Sequence, residues 1–162
     1  MSEAITIRPA DEGDVGVILQ FIRDLAKYEH LEHEVVATEG MLREALFGGR
    51  PYAEVVLACL NGEPVGFALF FHNFSTFLGR AGIYLEDLYV RPEARGHGVG
   101  RCLLTWLAAT AVSRGCGRLE WAVLDWNEPS IRFYRNLGAV ALDDWTTYRV
   151  TGPALSQLAG AS

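Results

Sequence analysis

Cysteine is scarce in this sequence, and positive charge is outweighed by negative charge. Cys59, Cys102 and Cys116 are the three cysteines, and they are too far apart for a CxxC pair. An odd, scattered set indicates a reducing compartment and core-filling thiols, not a disulfide framework. The net charge of −6 argues against a general nucleic-acid binder, which would show a basic stripe. The acidic balance fits either simple solubility or a cationic substrate.

Long apolar runs, internal repeats and low-complexity tracts are also missing. No run approaches the roughly 20 residues that cross a bilayer, and the first residues lack a basic and an apolar signal region. We therefore expect a soluble, cytoplasmic protein without a secretory signal. Half of the 162 residues are hydrophobic, which is typical of a globular chain that buries a core. Residues 1–162 are expected to form a single domain.

Hydrophobic periodicity predicts helices alternating with strands. The predicted helices cover residues 15–28, 38–47, 99–113, 127–137 and 153–158. The predicted strands cover residues 4–8, 53–60, 64–74, 83–90, 118–124, 139–142 and 145–150. This order predicts an α/β (α+β) fold with a central mixed sheet and helices on both faces. The strand–helix–strand unit within residues 83–124 should be parallel and right-handed.

A glycine-rich loop lies between the strand at residues 83–90 and the helix at 99–113. Its sequence is Arg95-Gly96-His97-Gly98-Val99-Gly100-Arg101. Glycines let a backbone approach a ligand closely, and the following helix offers free N–H groups and the positive end of its dipole. Arg95, Arg101 and Arg91 add positive charge. The loop therefore suits a phosphate or pyrophosphate.

The loop alone leaves the ligand open. It lacks the Gly-Lys-Ser/Thr ending of a P-loop, and its glycines read GxGxG, whereas a dinucleotide fingerprint reads GxGxxG. A tight strand-to-helix turn without any ligand fits the same residues equally well.

Two motifs together resemble the GNAT superfamily of N-acetyltransferases. Arg95-x-x-Gly98-x-Gly100 is similar to its acyl-CoA motif, and residues 127–139, NEPSIRFYRNLGA, are similar to its next helix. The resemblance covers nearly the whole chain. It implies the GNAT fold, a mostly antiparallel, twisted sheet of six to seven strands, with acetyl-CoA as cosubstrate.

A narrower resemblance points to the diamine (spermidine/spermine) and thialysine N-acetyltransferases. Residues 26–29 (AKYE), 84–87 (YLED) and 126–130 (WNEPS) are similar to that subgroup. It implies acetyl transfer to a primary amine of a small cationic molecule by a homodimer. Residues 143–148 are less acidic than in the polyamine enzymes, so a smaller diamine, thialysine or another amino-acid-like amine fits equally well.

The resemblance also implies roles for individual residues. Tyr134 corresponds to the catalytic tyrosine, since a phenol is protonated at pH 7 and can donate to the departing sulfur. Glu86 is the candidate that accepts the proton of the amine, through water. The implied cofactor-binding residues are Leu88, Tyr89, Val90, the loop residues Arg95, Gly96, His97, Gly98, Val99, Gly100 and Arg101, and Asn127 and Ser130. The N–H of Leu88 would polarise the thioester carbonyl.

Tyr28, Glu29, Glu86 and Asp87 are the candidate substrate-binding residues. Glu29 would attract a distal ammonium and Tyr28 would add a cation–π contact, although an ordinary solvated acidic stretch fits Glu29 as well. Adjacent strand residues face opposite ways, so Glu86 and Asp87 share a face only if a bulge intervenes.

Plainer explanations exist for several of these residues. Tyr134 also suits a core aromatic, and Asn127 suits a helix N-cap. The four histidines are not spaced like metal ligands, so we predict no metal site. Two alternative functions stay open, namely acetylation of a protein lysine or N-terminus, and a non-catalytic acetyl-CoA-binding module.

Overall fold

The structure is a computed structural model that describes residues 4–160. The chain divides into two compact units, one that ends at Leu124 and one that begins at Asp125. The single domain predicted for residues 1–162 stays a prediction, and it includes terminal residues outside the described range.

The first unit contains five strands and three helices. They are β1 (Ile5–Pro9), α1 (Val15–Tyr28), α2 (Glu39–Phe47), β2 (Glu54–Leu60), β3 (Glu63–Ser75), β4 (Arg80–Val90), α3 (Val99–Ser113) and β5 (Leu119–Trp121). The second unit contains α4 (Glu128–Asn136) and α5 (Gly152–Leu158). Within residues 4–160, no helix combines the length and the apolar character that a membrane span requires.

The strands form one sheet in the order β1-β2-β3-β4-β5. Neighbours from β1 to β4 are antiparallel, whereas β4 and β5 are parallel and are connected through α3. The mixed, mostly antiparallel sheet is therefore confirmed. Its β2–β3 hairpin turns at Asn61 and Gly62, whose positive φ angles of 52° and 83° suit the Asn-Gly turn predicted from the sequence.

One core lies between the sheet and α1. Alternate residues of β2, Val55, Leu57 and Cys59, point to this face, because successive side chains of a strand project to opposite sides. They form a buried cluster with Ile18, Phe21, Leu46, Phe67 and Tyr89. The burial of Cys59, whose side chain belongs to this cluster, confirms its core-filling role.

A second apolar layer lies on the opposite face, against α3. Phe70 of β3 meets Trp106 of α3 edge-on, with ring centroids 5.9 Å apart. Leu103 and Leu107, one helical turn apart, are fully buried. Helices therefore cover both faces of the sheet, as the element order predicted.

The predicted count of six to seven strands is wrong for residues 4–160, which form five. β5 covers three residues, Leu119–Trp121, within the strand predicted at 118–124, and residues 139–142 and 145–150 form no strand. Their alternating apolar pattern suits a strand, but a strand needs a neighbour to hydrogen-bond, and the second unit offers none among its described residues. Large side chains such as Trp145 and Tyr148 are accordingly 80% and 92% exposed.

Candidate active site

The predicted phosphate-binding loop joins β4 to α3. A 3-10 turn over Pro92–Ala94 comes first, and α3 begins at Val99. The first hydrogen bond of that helix runs from the N–H of Cys102 to the carbonyl of Gly98, at 3.0 Å. The N–H groups of residues 99–101 therefore have no acceptor within the helix. Together with the positive end of the helix dipole, they suit a phosphate group.

Two glycines of this loop hold left-handed backbone conformations. Gly96 has a φ angle of 83° and Gly98 has one of 82°, which side chains other than glycine's adopt only with strain. A Cβ added at either position would meet no atom within 4 Å. The glycines are therefore required by their backbone conformation, and the space beside their Cα atoms is open. The loop fits the acetyl-CoA implied by the sequence resemblance.

Of the arginines near the loop, one is exposed and another contacts the core. Arg101 is exposed on the first turn of α3, where it adds positive charge to the loop. The guanidinium of Arg91 lies over the ring of Phe21, 5.2 Å from its centroid, and thus contacts the core cluster.

Arg95 turns back from the loop towards the sheet. Its Nε donates to the carbonyl of Val90 at 2.9 Å. Its guanidinium carbon lies 5.4 Å from the ring centroid of Tyr28 and 5.5 Å from that of Tyr89. The sequence suggested that Tyr28 makes a cation–π contact with a substrate, and in the structure a cation of the chain itself contacts this ring.

The strand β4 contains a β-bulge at Glu86. Leu69 of β3 pairs with Asp87, whereas the next residue, Phe70, pairs with Leu85. Glu86 is thus one residue in excess, which bends the strand and reverses its alternation. The sequence placed Glu86 and Asp87 on opposite faces unless a bulge intervened, and the structure contains such a bulge.

The bulge places Asp87 on the α1 face of the sheet. Leu85 faces α3, because its partner Phe70 packs on Trp106. Asp87 faces the other way, because its partner Leu69 packs against the core cluster under α1. A regular strand would have kept both side chains on one face.

Three carboxylates form an acidic cluster, consisting of Glu29, Glu86 and Asp87. Asp87 is largely buried, and this desolvation, followed by the negative charges of Glu86 and Glu29, raises its pKa to about 6. Burial also raises the pKa of Glu29. Within residues 4–160, Asp87 has no ion pair with a cationic side chain. The cluster is therefore suited to a cationic ligand.

The edge of β4 next to this cluster is open. β5 pairs with β4 at Ile83, Tyr84 and Leu85 and ends there. Among the described residues no strand lies beside the stretch from 86 to 90 on that edge, which includes the predicted cofactor-binding residues Leu88 and Val90. An open strand edge presents backbone groups that can bind an extended ligand.

Three predicted site residues, Asn127, Ser130 and Tyr134, belong to the second unit. Asn127 occupies the N-cap position of α4 and is buried, but its side chain does not cap the helix. Helix capping by its side chain therefore does not explain why an asparagine is buried at this position. Ser130 lies in the first turn and is partly buried. Tyr134 is partly buried near the end of α4, with its ring 5.7 Å from that of Phe133.

The first unit thus brings together the candidates on the loop, on β4 and at the end of α1. Neither the bulge nor the contact of Arg95 with Tyr28 and Tyr89 was predicted, because both depend on pairing between distant segments. Within residues 4–160, no group of three or more histidine, cysteine, aspartate or glutamate side chains is arranged to hold a metal ion.

We predict that Asp87→Asn stabilises the chain at pH 8. Because folding raises the pKa of Asp87 from 3.8 to about 6, the folded state binds this proton more tightly, and stability falls as pH rises through that interval. Removing the charge should increase the free energy of unfolding by about 1–3 kcal/mol at pH 8 and little near pH 4. Urea denaturation at both pH values measures this change in the free energy of unfolding. Asp144→Asn, at an exposed residue, is the matched control. Lower stability of Asp87→Asn at pH 8 would contradict the argument.

Comparison with known proteins identifies the family. Residues 19–139 match the family model described as "Acetyltransferase (GNAT) family". The thialysine N-epsilon-acetyltransferase of Sus scrofa is 41% identical over 97% of this chain and 98% of its own length. The corresponding enzyme of Bos taurus is 42% identical over 96% and 98%. The L-ornithine N5-acetyltransferase of Arabidopsis thaliana is 33% identical over 94% and 86%.

Solved structures agree on the fold. An integron cassette protein from the mobile metagenome of V. cholerae has a TM-score of 0.80 and 28% identity, over 99% of both chains. A ribosomal-protein-alanine N-acetyltransferase of Brucella melitensis has a TM-score of 0.69 at 22% identity, over 92% of this chain and all of that one. With the loop, the fold and the relatives in agreement, the chain belongs to the GNAT acetyltransferase family and is an acetyl-CoA-dependent N-acetyltransferase.

Proposed function

We propose that the chain acetylates a primary amine of a small cationic molecule, a diamine, polyamine or thialysine-like amino acid. The acidic cluster of Glu29, Glu86 and Asp87 carries this proposal, because a largely buried carboxylate without a cationic partner attracts an ammonium group. Relatives named for thialysine and for ornithine support an amino-acid-like amine as the first to test.

Residues at the open edge of β4 and in the loop bind acetyl-CoA in this proposal. Acetyl-CoA supplies an acetyl group activated as a thioester. The N–H groups of residues 99–101 and the charges of Arg95 and Arg101 hold the diphosphate. The backbone of residues 88–90 lies along the pantetheine arm, and the N–H of Leu88 polarises the thioester carbonyl.

The amine has to lose a proton before it attacks. An alkyl ammonium has a pKa of about 10.4, so nearly all of it is protonated at pH 7. Glu86, exposed at the bulge, accepts this proton through a water molecule. Asp87 and Glu29 hold the substrate by its positive charges, and Asp87, which lacks an ion pair with a described side chain, is the stronger anchor.

Tyr134 supplies the proton that the departing sulfur needs. A thiol has a pKa of about 8.5 and a phenol one of about 10, so the phenol is protonated at neutral pH and donates as the thiolate forms. Asn127 and Ser130, at the start of the same helix, contact acetyl-CoA in this proposal.

An acetyl-CoA turnover screen tests the substrate class. Thialysine, lysine, ornithine, putrescine, spermidine and a lysine-containing peptide are compared with n-butylamine, which has no second charged group. We expect the best amino-acid-like amine to exceed butylamine in kcat/KM by about tenfold or more, because a charged hydrogen-bonded contact contributes about 1.5–3 kcal/mol. Preference for the peptide, or no turnover of any amine, would contradict the proposal.

We expect Tyr134→Phe to lower kcat by about 100-fold or more while the affinity for CoA changes little, since general acid catalysis contributes about 10²–10⁴-fold. Steady-state kinetics and calorimetric titration with CoA measure the two effects. Tyr52→Phe removes the hydroxyl of an exposed tyrosine that lies outside the proposed site and the proposed interface, and it serves as the control. Unchanged turnover in Tyr134→Phe would reduce Tyr134 to a packing role.

We also propose that the chain is a homodimer, as the resemblance to the diamine acetyltransferases implies. Exposed large apolar side chains between residues 140 and 158 support an interface, because folded chains seldom leave so many uncovered. They are Val140, Leu142, Trp145, Tyr148, Val150, Leu155 and Leu158. Sedimentation equilibrium should give twice the mass of one chain, and the mass of a single chain at micromolar concentration would contradict this proposal.

A further inference from the structure

Arg95 lies in the loop and contacts both β4 and α1. It belongs to the acetyl-CoA loop, its Nε donates to the carbonyl of Val90 at the end of β4, and its guanidinium lies over the rings of Tyr89 and Tyr28. Tyr28 is the last residue of α1. The side chain thus joins the loop to the end of a helix that is distant in sequence.

The end of α1 also carries part of the acidic cluster. Glu29 follows Tyr28 directly, and its charge contributes to the raised pKa of Asp87. Backbone hydrogen bonds close the helix there, from the N–H groups of Glu29, His30 and Leu31 to carbonyls in its last turn, at 2.7–3.1 Å. His30 has a left-handed φ of 61°, which ends the helix. Whatever holds Tyr28 in place therefore also holds Glu29.

The loop residues that follow Arg95 are accessible to a ligand. Arg95 is the last residue anchored by the 3-10 turn, through its N–H bond to Pro92 at 3.2 Å. Beyond it, Gly96, His97 and Gly98 are exposed. A guanidinium has five N–H donors, so a bond to Val90 leaves others for an anion. One side chain can thus contact a diphosphate and the two tyrosine rings together.

We propose that Arg95 is a positioning residue that couples the acetyl-CoA loop to the amine-binding end of α1 through Tyr28. The inference rests on the proposed function and deepens it. A diphosphate that orders the loop fixes Arg95, which in turn fixes Tyr28 and Glu29. Because such coupling is reciprocal, the amine strengthens CoA binding by the same factor by which CoA strengthens amine binding.

Hydrogen exchange with and without saturating CoA tests this coupling without any amine. In the wild-type chain, CoA should slow exchange over residues 95–101 and also over residues 25–31. Over residues 25–31 we expect exchange to slow by about two- to fivefold. This factor corresponds to the free energy of one cation–π contact at an exposed position. Tyr28→Leu should abolish the protection of residues 25–31 and keep that of residues 95–101.

Two further variants test whether the aromatic ring of Tyr28 is responsible for the protection of residues 25–31. Tyr28→Phe keeps an aromatic face for the guanidinium and should keep the protection of residues 25–31. Tyr52→Leu removes an exposed tyrosine of the same unit that no arginine covers among the described contacts, and it should behave like the wild type.

The outcomes distinguish this inference from the proposed function. Protection of residues 95–101 alone in the wild type would overturn the coupling and leave the acetyl-CoA site standing. Equal protection of residues 25–31 in Tyr28→Leu and the wild type would also overturn it. No protection anywhere would contradict the acetyl-CoA site itself, and the coupling with it.

Discussion

The register break at Glu86 divides β4 into a part that pairs with β5 and a part that carries the candidate site residues. Before it, Leu85 faces α3 beside Phe70, and β5 pairs with the strand. After it, Asp87 turns to the α1 face and the outer edge of the strand is open. A single excess residue therefore produces both the largely buried carboxylate and the free backbone edge, since a bulge bends a strand and reverses its alternation.

Positive and negative side chains lie in separate regions around this end of β4. A basic loop with free helix N–H groups follows the strand, and an acidic cluster lies at its bulge, so an anion and a cation would be attracted to different places. Asp87 is largely buried and, within residues 4–160, has no ion pair with a cationic side chain, so we expect its charge to destabilise the folded chain at neutral pH. Such a destabilising group is typical of functional sites, where binding and catalysis outweigh local stability. Arg95 stands between the two charged regions and contacts an aromatic ring on each of α1 and β4.

Much of the fold followed from local patterns. The helices at 15–28 and 99–113 agree with the structure at both ends, because their apolar periodicity and, for the second helix, the glycines at its two ends are local signals. Thr38 caps α2 by accepting from the N–H of Met41. The strands predicted at residues 139–142 and 145–150 are absent from the described structure. Strand formation depends on a neighbouring strand and not on the segment alone.

The sequence by itself determined the glycine-rich loop, the helix that follows it and the family to which the chain belongs. These depend on residues that are close in the chain, where backbone conformation and motif spacing can be read directly. Only the tertiary structure decided that Asp87 turns towards α1 near Glu29, and that Arg95 reaches Tyr28. Both arise where segments tens of residues apart meet, and the register of their pairing, not their local sequence, sets which side chains come together.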